Sequence, residues 1–336
     1  MDTLLFAINA IMPIILLILL GYFLKQKKFL DEQWFKKGNK MIFRVCLPAM
    51  LFVNVYNIES FSEINWTAVV YSEIAIVALF LIGILLAVLF IPDEKQKGVV
   101  IQSVFRSNFG IIGLPLAEAL GGSAGVGIAA VLSAFSIPTF NIFATIAMTM
   151  FLKDKSGKVD IKGMIKKILT NPLNIGVAIG LVVLAIRSVI PVDAEGQLVF
   201  SLKGSLPLVY KTVNNVSQIC SPLALIILGG LFEFSAIKGM KKPIVIGTAA
   251  RILLAPLLGV GTVILLSKYT SFQMDMAAYP ALLALFGSPM AVSSAVMAQE
   301  MDNDGVLAGQ LVVWTSFFSI VTLFVFILAL RTLGYL

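Results

Sequence analysis

The sequence predicts an all-α integral membrane protein with ten transmembrane helices, arranged as two inverted five-helix repeats whose helices 4 and 9 are broken and cross. Three observations carry this. Of 336 residues, 59% are hydrophobic and only 13% charged, against about 25% charged in a soluble domain. Apolar runs of spanning length recur ten times. Short Gly, Pro and Cys motifs then recur, in order, on runs five apart.

A helix needs about 20 apolar residues to cross a bilayer. The runs fall at 3–24, 38–55, 66–91, 98–120, 124–152, 172–190, 207–232, 243–266, 276–299 and 305–330. The second carries Lys40 and Arg44 near its start, and the fourth contains Arg106 and Asn108 and is rich in glycine. The first run has no basic start and is long enough to span, so it does not read as a cleaved leader.

Positive charge orients the spans. One side receives Lys25, Lys27, Lys28, Lys36, Lys37, Lys40, Arg44, Lys95, Lys97, Arg106, the six lysines of 153–167, Lys238, Lys241, Lys242 and Arg251. The other receives only Arg187, Lys203, Lys211, Lys268 and Arg331. The basic side is predicted to be cytoplasmic, which puts both termini outside the cytoplasm. Glu300, Asp302 and Asp304 run against the trend, but acidic residues count little in this rule. The net charge of +7 is thus an orientation signal, and nucleic acid is not an expected partner. Segment 159–169, VDIKGMIKKIL, alternates lysine with apolar residues and reads as an interfacial helix, against the simpler reading of a solvated loop.

Several chemistries drop out. The chain has no histidine, which removes His-ligated zinc, His proton relays and Ser-His or Cys-His nucleophile pairs. Cys46 and Cys220 lie in apolar runs and suggest neither a disulfide framework nor a metal site. There is no HExxH or nucleotide-binding motif. No metal, cofactor or enzymatic activity is expected.

The repeat is read from four matches. Spans 1 and 6 share Pro-x7-Gly (Pro13 with Gly21, Pro172 with Gly180). Spans 2 and 7 share Cys-x-Pro (Cys46 with Pro48, Cys220 with Pro222). Spans 4 and 9 share Phe-Gly then proline (Phe109, Gly110 and Pro115; Phe286, Gly287 and Pro289), and spans 5 and 10 open on Gly-Val at Gly125 and Gly305. The offsets run 159, 174, 177 (174 between the prolines) and 180 and never go backwards. Five spans is an odd number, so the second half sits upside down. The expected units are 1–152, a cytoplasmic interfacial linker at 153–171, and 172–336. Inverted repeats are a mark of secondary transporters, although an old duplication also persists in channels and receptors.

Spans 4 and 9 hold the candidate substrate site. Span 4 reads RSNFGIIGLPLAEALGG from Arg106, and span 9 reads LFGSPMAVSSAVMAQE from Leu285. Proline removes a backbone donor and glycine admits unusual angles, so both helices are predicted to break, at Gly110–Gly113–Pro115 and Gly287–Pro289. Paired interrupted spans in matching halves point to a binding site at the midplane. Half-helix N-termini facing a shared cavity suit a carboxylate. Asn108 adds an amide, and Ser288, Ser293 and Ser294 add hydroxyls. The alternative is a pair of ordinary proline kinks. Asn141, after Pro138 in span 5, is either a site residue or a bridge between helices. Glu73, Glu118 and Arg251 are candidates for proton coupling or charge, or snorkel to an interface. Gly176 and Gly180 form GxxxG and suggest close helix contact, across a dimer among other places.

Four segments carry a resemblance: SNFGIIGLPL in span 4, FGSPMAVSSAVMAQEM in span 9, CLPAMLF in span 2 and SPLALIILGGLF in span 7. Together they resemble the auxin efflux carrier family in its shorter bacterial form, the malate and organic-anion permease type with a PIN-like fold. The resemblance implies a homodimeric scaffold of helices 1, 2, 6 and 7 and a sliding transport domain of helices 3–5 and 8–10. It implies crossing helices at Pro115 and Pro289, and a substrate carboxylate held near Asn108 and Asn141. The long cytoplasmic loop of plant members is absent, so auxin itself is not the expected cargo. The function expected is a plasma-membrane secondary carrier, of elevator type, for a small organic anion, a mono- or dicarboxylate such as malate. Its drive would be H+ or Na+, the membrane potential or exchange. The alternatives are a ligand sensor on a transporter-like fold, and a carrier for an auxin-like or other neutral or amphipathic metabolite.

Overall fold

The computed structural model describes residues 2–57, 65–151, 161–187, 189–191, 199–233 and 237–336. Among these residues the chain is helical, with one isolated β-bridge and no strand. A backbone immersed in lipid must satisfy its polar groups internally, and helices do this within each segment.

Helix α1 covers Asp2–Gln26. Helix α2, Glu32–Met41, is amphipathic and starts where the Asp31 carboxylate accepts the Trp34 amide at 2.7 Å. It runs through a π-helical turn, Ile42–Cys46, into α3, Leu47–Tyr56. The predicted second span is therefore a bent unit with an amphipathic entry. Helix α4, Trp66–Phe90, exposes Val70, Ile74, Val77, Leu81, Leu85 and Val88 along one stripe. In water such a stripe would be a liability, whereas in a bilayer it is the lipid face.

Helix α5, Glu94–Phe105, ends at Arg106. A π-helical turn, Phe109–Gly113, then leads into α6, Leu114–Thr149. Gly122, at φ 58° and ψ −148°, breaks α6 in a conformation that L side chains avoid. The chain reverses there: a Cβ on Gly125 would lie 2.6 Å from the Ala117 carbonyl oxygen. In a continuous helix these residues, eight apart, would be about 12 Å from each other. The two limbs are the end of predicted span 4 and the whole of span 5.

Helix α7, Ile161–Thr170, replaces the solvated-loop reading of this segment; residues 152–160 lie outside the described ones. There follow α8 (Pro172–Arg187), the short α9 (Leu202–Ser205) and α10 (Pro207–Leu231). Helix α11 (Ile237–Ala249) continues through two π turns, Ala250–Leu254 and Leu257–Gly261, into α12 (Thr262–Tyr269). Last come α13 (Ala278–Gly287), α14 (Val292–Glu300) and α15 (Gly305–Thr332).

Among the described residues, five stretches are long and apolar enough to cross a membrane: Trp66–Phe90, Phe109–Thr149, Pro207–Leu231, Ile237–Tyr269 and Gly305–Thr332. Met12–Gln26, Pro172–Arg187 and Ala278–Gly287 are shorter apolar helices.

Small residues set the packing. Helix α1 crosses α10 where Gly21 abuts the Ile226 carbonyl and Gly229 abuts that of Ile18. Helix α8 packs on α3, with Gly176 against Pro48 and Gly180 against Val55 and the Phe52 carbonyl. The GxxxG pair makes the close helix contact its pattern suggests, and makes it inside the chain, against α3. Helices α4, α5 and α6 pack together, α13 lies along α6, and α11 and α14 lie against α15.

Candidate functional site

The site is built at the two helix breaks. Ser107 and Met290 form an antiparallel bridge, with the Asn108 amide donating to the Pro289 carbonyl at 2.8 Å and the Ala291 amide to the Arg106 carbonyl at 3.2 Å. Arg106, Ser288 and Ala291 all have extended backbone. The first break thus lies at Arg106–Asn108 and not at Gly110–Pro115. Pro115 lies in α6 just past the π turn, where the helix continues through it, and it is exposed. In the second half the break falls at Ser288–Ala291, close to the predicted Gly287–Pro289.

A cavity of about 240 Å³ opens beside this bridge. It is smaller than the ~300–1,000 Å³ of drug-sized pockets, a size for a small metabolite. One wall is Arg106–Ile111 with Ala291, Val292 and Ser293; Asn141 adds to it from α6. The facing wall comes from α3 and α10 and includes Asn54, Ser217, Gln218 and Ser221. The first amides of a helix have no partner within it. Those of the helices beginning at Phe109 and Val292 lie at this cavity.

Arg106 dominates the electrostatics. It is 3% exposed. Its guanidinium donates to Asn141 Oδ1 at 2.7 Å, to Gln102 Oε1 at 3.0 Å and to Met297 Sδ at 3.3 Å. Asn141 turns its amide nitrogen to the Ile137 carbonyl at 2.9 Å, which aims its oxygen at Arg106. Among the described residues no carboxylate lies within ion-pair distance of Arg106. An arginine is always charged, and one within a span costs about 2.5–3.5 kcal/mol on insertion scales. Arg106 is therefore not a loop charge: it is buried at the end of α5. Its place immediately before SNFG, inside an apolar run, is the signal that marks it.

Of the other predicted residues, Asn108, Gly110, Asn141 and Ser293 line the cavity. Gly113 lies under the Phe109 ring, and Gly287 packs on Leu283 and Leu323. The Ser288 hydroxyl donates to the Ala284 carbonyl at 2.6 Å, and Pro289 contributes its backbone to the bridge. Ser294 is buried, its hydroxyl unpartnered among the described residues. Glu73, half-buried, accepts from Thr139 at 2.7 Å, away from the cavity. Glu118 is exposed. Arg251 is wholly buried and reaches no interface. Asn54, Ser217, Gln218 and Ser221 escaped the sequence reading, although the Cys-x-Pro motifs of spans 2 and 7 lie beside them.

Helices long and apolar enough to cross a membrane, packed around a small cavity of mixed lining, make this an integral membrane protein of the kind that transporters are. The chain belongs to the family described as membrane transport protein, which matches residues 6–327, and is a transporter of the auxin efflux carrier type. None of the curated proteins compared with it matches.

Proposed function

We propose that the chain is a secondary active carrier for a small organic anion, a mono- or dicarboxylate such as malate. The observation that carries this is the buried Arg106, a cavity-lining residue whose guanidinium bonds Asn141 of the same wall and has no carboxylate partner among the described residues. Guanidinium and carboxylate match in charge and in planar two-point geometry. The two helix starts beside it add amides and partial positive charge. Asn108 and Ser293 add neutral polar groups.

The inverted-repeat reading gains support from the glycine crossings. Gly21 meets Ile226 as Gly180 meets Phe52, and these are repeat mates under the offsets 159 and 174. In the proposed division, α1, α3, α8 and α10 are the scaffold, and α4–α6 with α11–α15 slide past it. The cavity lies between the two sets, with walls from each. Sliding would carry the bridge and its anion together, as an elevator does. A plasma-membrane location, termini outside the cytoplasm, a scaffold dimer and coupling to H+, Na+ or exchange complete the proposal.

The test is a thermal-shift screen of mono- and dicarboxylates on purified protein, then flux of the hits in proteoliposomes. Stabilisation by an anion together with its saturable flux supports the reading. Binding without flux turns it into the sensor, and selective flux of a neutral metabolite overturns the anion assignment.

A further inference from the structure

Arg251 makes an arrangement that anion binding does not require. It rises from the π turn Ala250–Leu254, a widened turn of the kind frequent at functional sites. Its side chain is 0% exposed. One terminal nitrogen donates to the Val104 carbonyl at 3.1 Å, and the other donates to the Phe286 carbonyl. Val104 lies in the last turn of α5 and Phe286 in the last turn of α13. One guanidinium therefore joins the C-terminal ends of the two half-helices that stop at the bridge.

Those ends are where a cation belongs. The last carbonyls of a helix lack intrahelical partners and carry about half a negative charge per helix. In carriers built on broken helices, unwound carbonyls and half-helix C-termini are the groups that coordinate a coupling cation. Here these carbonyls already receive a covalently attached one. No carboxylate pairs with Arg251 among the described residues, so its charge is spent on the two helix ends.

We propose that Arg251 is the resident cation of the crossing, a positioning residue that locks the two half-helices at their carbonyl ends and makes a bound metal cation unnecessary for anion binding. The proposal rests on the carrier reading and excludes Na+ from its possible coupling ions.

The experiment uses the purified full chain and two variants, Arg251→Lys and Arg251→Gln, in sodium and in choline buffers of equal ionic strength. Thermal midpoint and anion uptake are both read. The native protein is expected to behave identically in the two buffers. Arg251→Gln is expected to lose about tenfold or more in anion affinity, a usual size for coupling between separated groups. Free guanidinium or sodium should then raise its midpoint and restore part of the loss. Arg251→Lys keeps the charge and should stay insensitive to sodium. A native carrier that needs sodium overturns the proposal. So does an Arg251→Gln protein that matches the native one without added cation, or one whose loss no cation repairs. If no anion is carried at all, the midpoints still report on Arg251, and the failure belongs to the carrier reading.

Discussion

The Arg106 guanidinium donates to the side-chain oxygen of Asn141 at 2.7 Å, tying the end of α5 to the middle of α6 across 35 residues of chain. The bond gives Asn141 both roles open to it, a cavity residue and a bridge between helices. Because Arg106 has no carboxylate partner among the described residues, its variants separate charge from geometry. Arg106→Gln is expected to lower anion affinity about ten- to hundredfold, since hydrogen bonds to charged groups contribute about 1.5–3 kcal/mol. Arg106→Lys should recover only part, because a point charge cannot grip a carboxylate at two places. Thermal shift with the bound anion and the KM for uptake check both.

Asn108→Ala should abolish uptake and leave folding intact. The substitution removes the amide at the cavity wall but keeps the backbone N–H that donates to Pro289. A monodisperse, thermally normal variant that fails to move substrate is the expected result. Unchanged transport of every substrate the native carrier moves would sink the site.

The α1–α10 crossing predicts a strong asymmetry between glycines. A Cβ at Gly21 would lie 1.8 Å from the Ile226 carbonyl oxygen, and rigid backbone cannot give way. Gly21→Ala should destabilise by about 1–3 kcal/mol or more. Gly127 sits in a helix with open space where its Cβ would go. Gly127→Ala should be neutral or stabilise by up to about 1 kcal/mol. Thermal midpoints of the two variants would tell them apart.

Gly122 predicts a backbone effect without any collision. Nothing lies within 4 Å of the Cβ position, yet φ is 58°. Gly122→Ala should cost about 1–3 kcal/mol through strain alone. A variant as stable as the native protein would mean that the reversal between the limbs of α6 tolerates other angles.

The sequence reveals much of this molecule because lipid imposes simple rules. Apolar length marked α4, α10 and α15, and the Gly and Pro of LFGSP placed the second break within a residue or two. Proline does not make the first break, which is why the proline pattern points several residues too far along. What stops α5 is the pairing of residues 106–108 with 289–291, a contact across most of the chain that no local pattern records. Arg106 is marked by its place inside an apolar run, but that Asn141 and Gln102 surround it is recorded by no local pattern. Local motifs also cannot say what they touch: Gly176 and Gly180 signalled a close approach, and only the fold shows it to be with Pro48 and Val55.

The Ser107–Met290 bridge finally bears on the order in which this protein comes into being. The Asn108 amide waits for a carbonyl that lies in the last sixth of the chain. At about 5–20 residues per second, synthesis leaves that donor without its partner for roughly ten to forty seconds. During this interval the first half is already emerging, and its broken helix has an opened backbone that lipid cannot satisfy. The bridge is therefore among the last things made, and a chain interrupted before residue 289 has Arg106 and Asn108 but not the backbone they pair with.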